Sequence, residues 1–319
     1  MSKTYLLIDA SNFLYKTFFK HIKESLDVSI SVCHHVTLMS INKYFKKYKV
    51  DEVVVAFDAY SWRKTYTSDP ELCVTHQKYK GNRRSDMSPT DKEKMQKFDE
   101  HIPQFKELFQ TLTNCIVLYE DMLEADDLIA GFIQMHPDDK HILLSADKDF
   151  MQLLVRNDLR LISPVDDKER TLEEFDNDPY YFMFQKCFRG DRGDNVMSAY
   201  PRLRETKLKA AYTDPLLRTN LMQNEFNIMV NKDSGMPEER TYLTADVYEE
   251  NELLMDLTKQ PDTIRALIEK SINNSLANRG KFNYIEFLRY CSKYELENIR
   301  RMADDFIPML TCGSKKKGA

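Results

Sequence analysis

The chain has 319 residues, 42% hydrophobic and 11% aromatic, enough apolar surface for a large core and too much for a disordered chain. Its formal net charge of −5 speaks at first sight against a nucleic-acid partner. No apolar run is long enough to span a membrane, and the opening MSKTYLLI is too short for a signal-peptide core. The six cysteines are scattered without a CxxC, so a reduced, cytoplasmic protein without a zinc site is expected.

Residues 4–9, TYLLID, read as a buried strand ending on Asp9, and the next stretch has helical spacing with Ser11 or Asn12 as its cap. A second helix is expected from Ile30 to Tyr48; adjacent side chains diverge on a helix, so His34 and His35 read as surface residues rather than metal ligands. DEVVVAFDAY is another buried strand, with Asp58 at its carboxyl end. Residues 61–88 lose periodicity and turn polar and basic, which predicts an exposed, mobile segment. From Ser88-Pro89 the spacing of Met95, Phe98, Ile102, Phe105 and Phe109 predicts one helix of about 22 residues.

NCIVLYE, HILLSAD and LRLISP read as further strands, with LEADDLIAGFIQM a helix between the first two. Strand–helix alternation of this kind predicts an α/β fold with a mainly parallel central sheet and helices on both faces. Residues 171–190 read as an aromatic helix leading into RGDRGDNV, a turn that carries Asp191 and Asp194. Beyond residue 195 almost everything reads as helical, and GSKKKGA as a disordered tail.

The stretch 120–149 organises the rest, since Glu124, Asp126 and Asp127 precede one helix while Asp147 and Asp149 follow the HILLSA strand. Carboxylates at the mouth of a buried strand repel one another and lose hydration, and they persist where a hard cation such as Mg²⁺ sits among them. Sites in open α/β sheets form at the carboxyl ends of strands, where Asp9 and Asp58 also fall. Taken singly, each of these acids is an ordinary cap or turn residue. With nine of the 51 acids set aside as one cluster, the 46 Lys and Arg outnumber those that remain. Lysine and arginine are dense in 76–84, 202–209 and 315–317, so local patches outweigh the overall sign.

In chain order the motifs LLIDASNF, VVVAFD, YKGNR, EADD, SADKDF and GDRGDNV resemble the flap endonuclease/5′-3′ exonuclease family, and within it the bacteriophage, T-even type ribonuclease H branch. The resemblance covers residues 6–196 and is loose beyond 200. It implies a PIN-like 5′-nuclease domain over 1–190 with a helical arch at 61–110, then a helical DNA-binding region over 191–310 and a tail over 311–319. It places Asp9, Asp58, Glu124, Asp126 and Asp147 around a first Mg²⁺, Asp149, Asp191 and Asp194 around a second, and Asp127 as support. Mn²⁺ is expected to substitute.

The resemblance also sets Lys80 and Arg83 at the base of the arch against the scissile phosphate, with Tyr79 stacking beside them and Arg84 in the same basic cluster. The family grips duplex backbone through glycine amides and K⁺; here MSAYPRLRETKLKAAY lacks those glycines, and Arg202, Arg204 and Lys207 are expected to serve in their place. Implied substrates are DNA and RNA–DNA hybrids with 5′ ends or flaps, and implied protein partners are a single-stranded-DNA-binding protein and a replicative polymerase or clamp. The chain is expected to act as a monomer.

Two divalent ions lower the pKa of the attacking water and neutralise charge on attacking and leaving oxygens, which suits an all-carboxylate cage. Lys80 and Arg83 would stabilise the transition-state phosphate, and Asp147 is the acid whose removal tests the site most directly. Two rivals remain on the sequence. A non-catalytic junction-binding protein of the same fold is disfavoured by the full carboxylate set, and a PIN-type single-strand ribonuclease by the length and the GD turn. The absence of a GxxxxGK[ST] loop removes an NTPase.

Overall fold

The computed structural model describes residues 2–155, 158–231 and 237–313, which divide into two compact units. The first comprises the chain up to Tyr60, Met87–Thr171 and the segment from Asp262 onward; the second comprises Ser61–Asp86 and Leu172–Pro261.

The first unit is built on β1 Thr4–Asp9, β2 Glu52–Ala56, β3 Ile116–Leu118, β4 Lys140–Leu144, β5 Leu159–Ser163 and β6 Lys168–Glu169. The order is β3-β2-β1-β4-β5-β6, parallel from β3 to β5, with β6 antiparallel at one edge. Leu7 of β1 stands opposite Val54 on one side and Leu143 on the other. Leu6, Leu7, Ile8, Val53, Val54 and Val55 are fully buried, so these strands read as unbroken apolar runs rather than as alternating patterns. The chain steps from β1 out to β3 and then crosses to the far side of β1 for β4. Strand order therefore reverses beside β1, the position at which open α/β sheets place their sites.

The Ala10–Lys20 helix is capped by Asp9, whose Oδ1 accepts from the Asn12 N–H at 3.0 Å, and not by Ser11 or Asn12. The next helix starts earlier than read, at Leu26, because Ser25 caps it through the Val28 N–H. His34 lies inside, with its ring stacked on Phe105 and its Nδ1 2.9 Å from the Tyr290 hydroxyl. The expected single helix from Pro89 is two, Pro89–Asp99 and Ile102–Leu112. Pro103 has no N–H to donate, and its ring would meet the carbonyl of Asp99, so the helix stops and restarts.

The C-terminal helices Asp262–Ala277 and Tyr284–Lys293 belong to the unit that carries the sheet, where Phe287, Tyr290, Leu296, Phe306 and Met309 join one core with Phe105 and Phe109. Gly131 explains the close fit of Asp262–Ala277 against the Ala125–Met135 helix. A Cβ there would stand 2.2 Å from Ile268 Cγ2. At the chain's end Thr311–Gly313 is a turn with Cys312 buried, while the remainder of the expected tail, 314–319, lies outside the described residues.

The second unit holds the helices Trp62–Ser68, Pro179–Arg189, Glu205–Thr213, Pro215–Met222 and Thr244–Met255. It also holds an antiparallel pair, β7 Glu225–Asn231 and β8 Pro237–Leu243, in a region expected to be helical. Phe226 and Ile228 alternate inward to pack with Tyr242 and Val247, a period of two that a short polar stretch disguises. Segment 61–86, expected to be exposed and mobile, is pinned from within. The buried Glu250 carboxylate accepts from the Thr75 N–H and hydroxyl, and Arg63 donates through Nε to the Leu254 carbonyl. Among the described residues no helix is long and apolar enough to cross a membrane.

Candidate active site

The carboxyl edge of the sheet gathers the acids of the first unit. Asp9 is the last residue of β1, Asp58 lies just past β2, Asp147 just past β4, and Glu124 with Asp126 and Asp127 opens the helix that follows β3. Short polar contacts tie these ends together. The Asp147 N–H donates to Ser145 Oγ at 3.1 Å, and the Ser145 hydroxyl donates to Asp9 Oδ2 at 2.9 Å. The Asp58 N–H donates to Ser11 Oγ at 2.9 Å, while Asp58 Oδ1 accepts from the Ala125 N–H at 2.8 Å. Asp58 thereby reaches the N-terminus of the helix carrying the EADD acids, whose dipole favours negative charge.

Glu124, Asp126 and Asp127 present oxygens within 4.8 Å of one another, a spacing that suits a bound cation. Asp127 is fully buried and accepts from the Glu124 N–H at 3.3 Å as the return half of a capping box, so it holds the helix start in shape. Asp147 is exposed and Asp149 half-buried, and the Asp149 N–H donates to Asp147 Oδ1 at 2.9 Å.

Asp9 shows what this crowding costs. Burial, then the charges of Asp58 and Asp147, push its carboxyl up to about 7, against the Asn12 and Ser145 hydrogen bonds that pull it down. A buried carboxyl so placed is destabilising when ionised unless a cation joins it. The donor set is oxygen only, and the neighbouring Asn12 Oδ1 is buried without a hydrogen-bond partner among the described residues. These residues fit a hard divalent ion such as Mg²⁺.

Asp191 and Asp194 lie in the second unit together with the basic segment. Gly190, at φ +65°, turns the chain into this motif, and a Cβ there would come within 2.5 Å of the Val196 and Met197 carbonyls. Asp191 Oδ1 accepts from the Gly193 N–H at 2.7 Å, and its Oδ2 lies 3.4 Å from Lys186 Nζ. The Asp194 carboxylate receives the Tyr79 hydroxyl at 2.9 Å and Arg83 at 2.6 Å, with Lys80 Nζ at 3.8 Å.

Tyr79 is only 5% exposed, its hydroxyl donates to Asp194, and Lys80 Nζ lies 4.8 Å from its ring centroid, so the ring packs beside Lys80. Arg84, Arg202, Arg204 and Lys207 are exposed, with Lys207 Nζ 5.3 Å from the Tyr200 ring centroid. Ser145 and Lys16 escaped the sequence reading, and Ser11 entered it only as a helix cap. The serines brace the aspartates directly, and Lys16, two turns along the helix that Asp9 caps, lies where the charges of Asp147 and Asp9 act on it. The i to i+7 spacing from Asp9 was the available signal for Lys16.

The family described as 5′-3′ exonuclease, N-terminal resolvase-like domain, matches residues 4–181, more than half of the chain. The chain belongs to the 5′-3′ exonuclease family. It is thus a nuclease, on a mainly parallel α/β scaffold of the PIN-like 5′-nuclease kind. Among solved structures, bacteriophage T5 5′-exonuclease with bound zinc is similar to this exonuclease at 18% identity and a TM-score of 0.62, covering 86% of this chain and 99% of that one. A complex of the bacteriophage T5 flap endonuclease with DNA and metal ions gives 17% identity and a TM-score of 0.60, over 86% of this chain and 98% of that one. At such identities the likeness shows the shared fold. No curated protein matches the sequence itself.

Proposed function

We propose that this exonuclease is a Mg²⁺-dependent, structure-specific 5′-nuclease that hydrolyses phosphodiesters at 5′ ends and flaps of DNA and RNA–DNA hybrids. Its task is removal of RNA primers and adjacent DNA during phage-type replication, as in the T-even ribonuclease H branch that the motifs resemble. The observation that carries the reading is the gathering of Asp9, Asp58, Asp147 and the Glu124–Asp127 group at the strand-order reversal of the sheet.

In this proposal Asp9, Asp58, Glu124, Asp126 and Asp147 hold one ion, and Asp127 keeps the helix start in place. Asp149, Asp191 and Asp194 retain the second-ion role that the resemblance gives them. Divalent ions there would lower the pKa of the attacking water and offset charge on the phosphate. Lys80 and Arg83 orient the phosphate and stabilise its developing charge. Arg84, Arg202, Arg204 and Lys207 contact the backbone, which makes affinity salt-dependent and indifferent to sequence. The T5 complex with DNA and metal ions supports this direction as a property of that protein.

The test uses 5′-labelled flap, nicked and RNA–DNA hybrid substrates with and without Mg²⁺. Short 5′ products that require Mg²⁺ and a free 5′ end are expected. Metal-independent cleavage, or cleavage spread along unpaired strands without regard to the 5′ end, would overturn the reading.

A further inference from the structure

The basic segment and the GDRGDN turn are joined by more than charge. The Lys80 N–H donates to the Asp194 carbonyl at 2.7 Å, closing the two segments backbone to backbone. On one side of this bond Asn195 Nδ2 donates to the Lys78 carbonyl at 2.9 Å; on the other, Asn82 Nδ2 donates to the Arg192 carbonyl at 2.8 Å. Each segment thus lends one side-chain amide to the other's backbone. Lys80 sits at φ +56° and Asn195 at φ +58°, left-handed conformations that both segments must hold at their meeting point.

From this reciprocal pair we infer that Asn82 and Asn195 are positioning residues, two amide clamps that set the side chains of Lys80 and Arg83 for phosphate contact. Charge alone is a poor positioner at this site. Arg83 is 55% exposed and its ion pair with Asp194 is screened by water, whereas the amide bonds fix the backbone from which both cations project. An asparagine suits both sites, since its side chain donates to a carbonyl across the junction and it tolerates the left-handed region that Asn195 occupies.

The inference rests on the reading that Lys80 and Arg83 contact phosphate, and its test separates the two. Asn195→Gly keeps the left-handed backbone and removes the donor, Asn82→Asp keeps size and removes the donor, and Asn82→Gln restores a donor. The first readout, in chelator and without substrate, is the rate of tryptic cleavage at Lys78, Lys80, Arg83 and Arg84 in the full chain. The second is kcat and KM on a 5′ flap with Mg²⁺.

Faster tryptic cleavage is expected in Asn195→Gly and Asn82→Asp, with kcat down about ten- to hundredfold as misplaced groups cost. KM should change less than about threefold, and Asn82→Gln should recover most of kcat. Unchanged cleavage, or faster cleavage with kcat intact, overturns the inference. If Lys80→Ala and Arg83→Ala both leave turnover intact, the functional reading fails, and the tryptic rates still decide whether the clamps exist.

Discussion

Asp9 carries two duties that pull in opposite directions. Its Oδ1 caps the Ala10–Lys20 helix, while burial and the nearby Asp58 and Asp147 make its charge unwelcome. Asparagine caps as well as aspartate and carries no charge. Asp9→Asn should therefore raise the melting midpoint of the chelated protein at pH 7 by about 2–4 °C, what roughly 1 kcal/mol does in a chain of a few hundred residues. It should also abolish the further rise that Mg²⁺ gives the wild type. A lower midpoint in chelator would show that the Asp9 charge is satisfied without a cation.

His34 offers the opposite case, a buried base that stays neutral. Burial first, then His101 and Lys293, lower it to about 3 from an ordinary 6.5. Between those limits the unfolded chain takes up a proton that the native state refuses, so stability falls as pH drops from about 6.5 towards 3. The loss is at most about 1.4 kcal/mol per pH unit from this one group. His34→Gln should flatten the dependence of unfolding free energy on pH between 6 and 4, as read by urea titration. An unchanged slope would place the acid sensitivity elsewhere.

At the scale of elements, the contact of Ala125–Met135 with Asp262–Ala277 turns on Gly131. Alanine is the better helix former by about 1 kcal/mol, but a methyl group against Ile268 overpacks the crossing at a cost of about 1–3 kcal/mol. Gly131→Ala should therefore destabilise the protein in denaturant unfolding, and should cease to do so in an Ile268→Ala background. Stabilisation by Gly131→Ala alone would mean that the helices part easily.

The same crossing shows what the sequence could and could not tell. TYLLID, DEVVVA and HILLS are almost wholly buried apolar runs, and NCIVLYE and LRLIS keep enough of that pattern, so strands and sheet class could be read from local pattern alone. The acids at their ends were legible for the same reason. An amphipathic helix such as Tyr284–Lys293 looks alike whichever surface it covers, so its membership in the sheet unit was not legible. The break at Pro103 was legible but masked by the unbroken apolar spacing around it, which one missing N–H outweighs. The buried state of Tyr79 depends on residues more than a hundred positions away.

At the scale of the whole molecule, the net charge of −5 misleads because its acids are unevenly placed. A nuclease must repel its substrate at the carboxylates until cations arrive, and attract it elsewhere. Binding of a 5′ flap should consequently weaken steeply with salt, whatever the flap's sequence. The central claim, that the carboxylates at the sheet's edge are the hydrolytic centre, is tested most directly at Asp147. Single-turnover cleavage of a 5′-labelled flap in saturating Mg²⁺ should fall by orders of magnitude in Asp147→Asn, with flap affinity changed little. Cleavage by Asp147→Asn at near the wild-type rate would contradict the account.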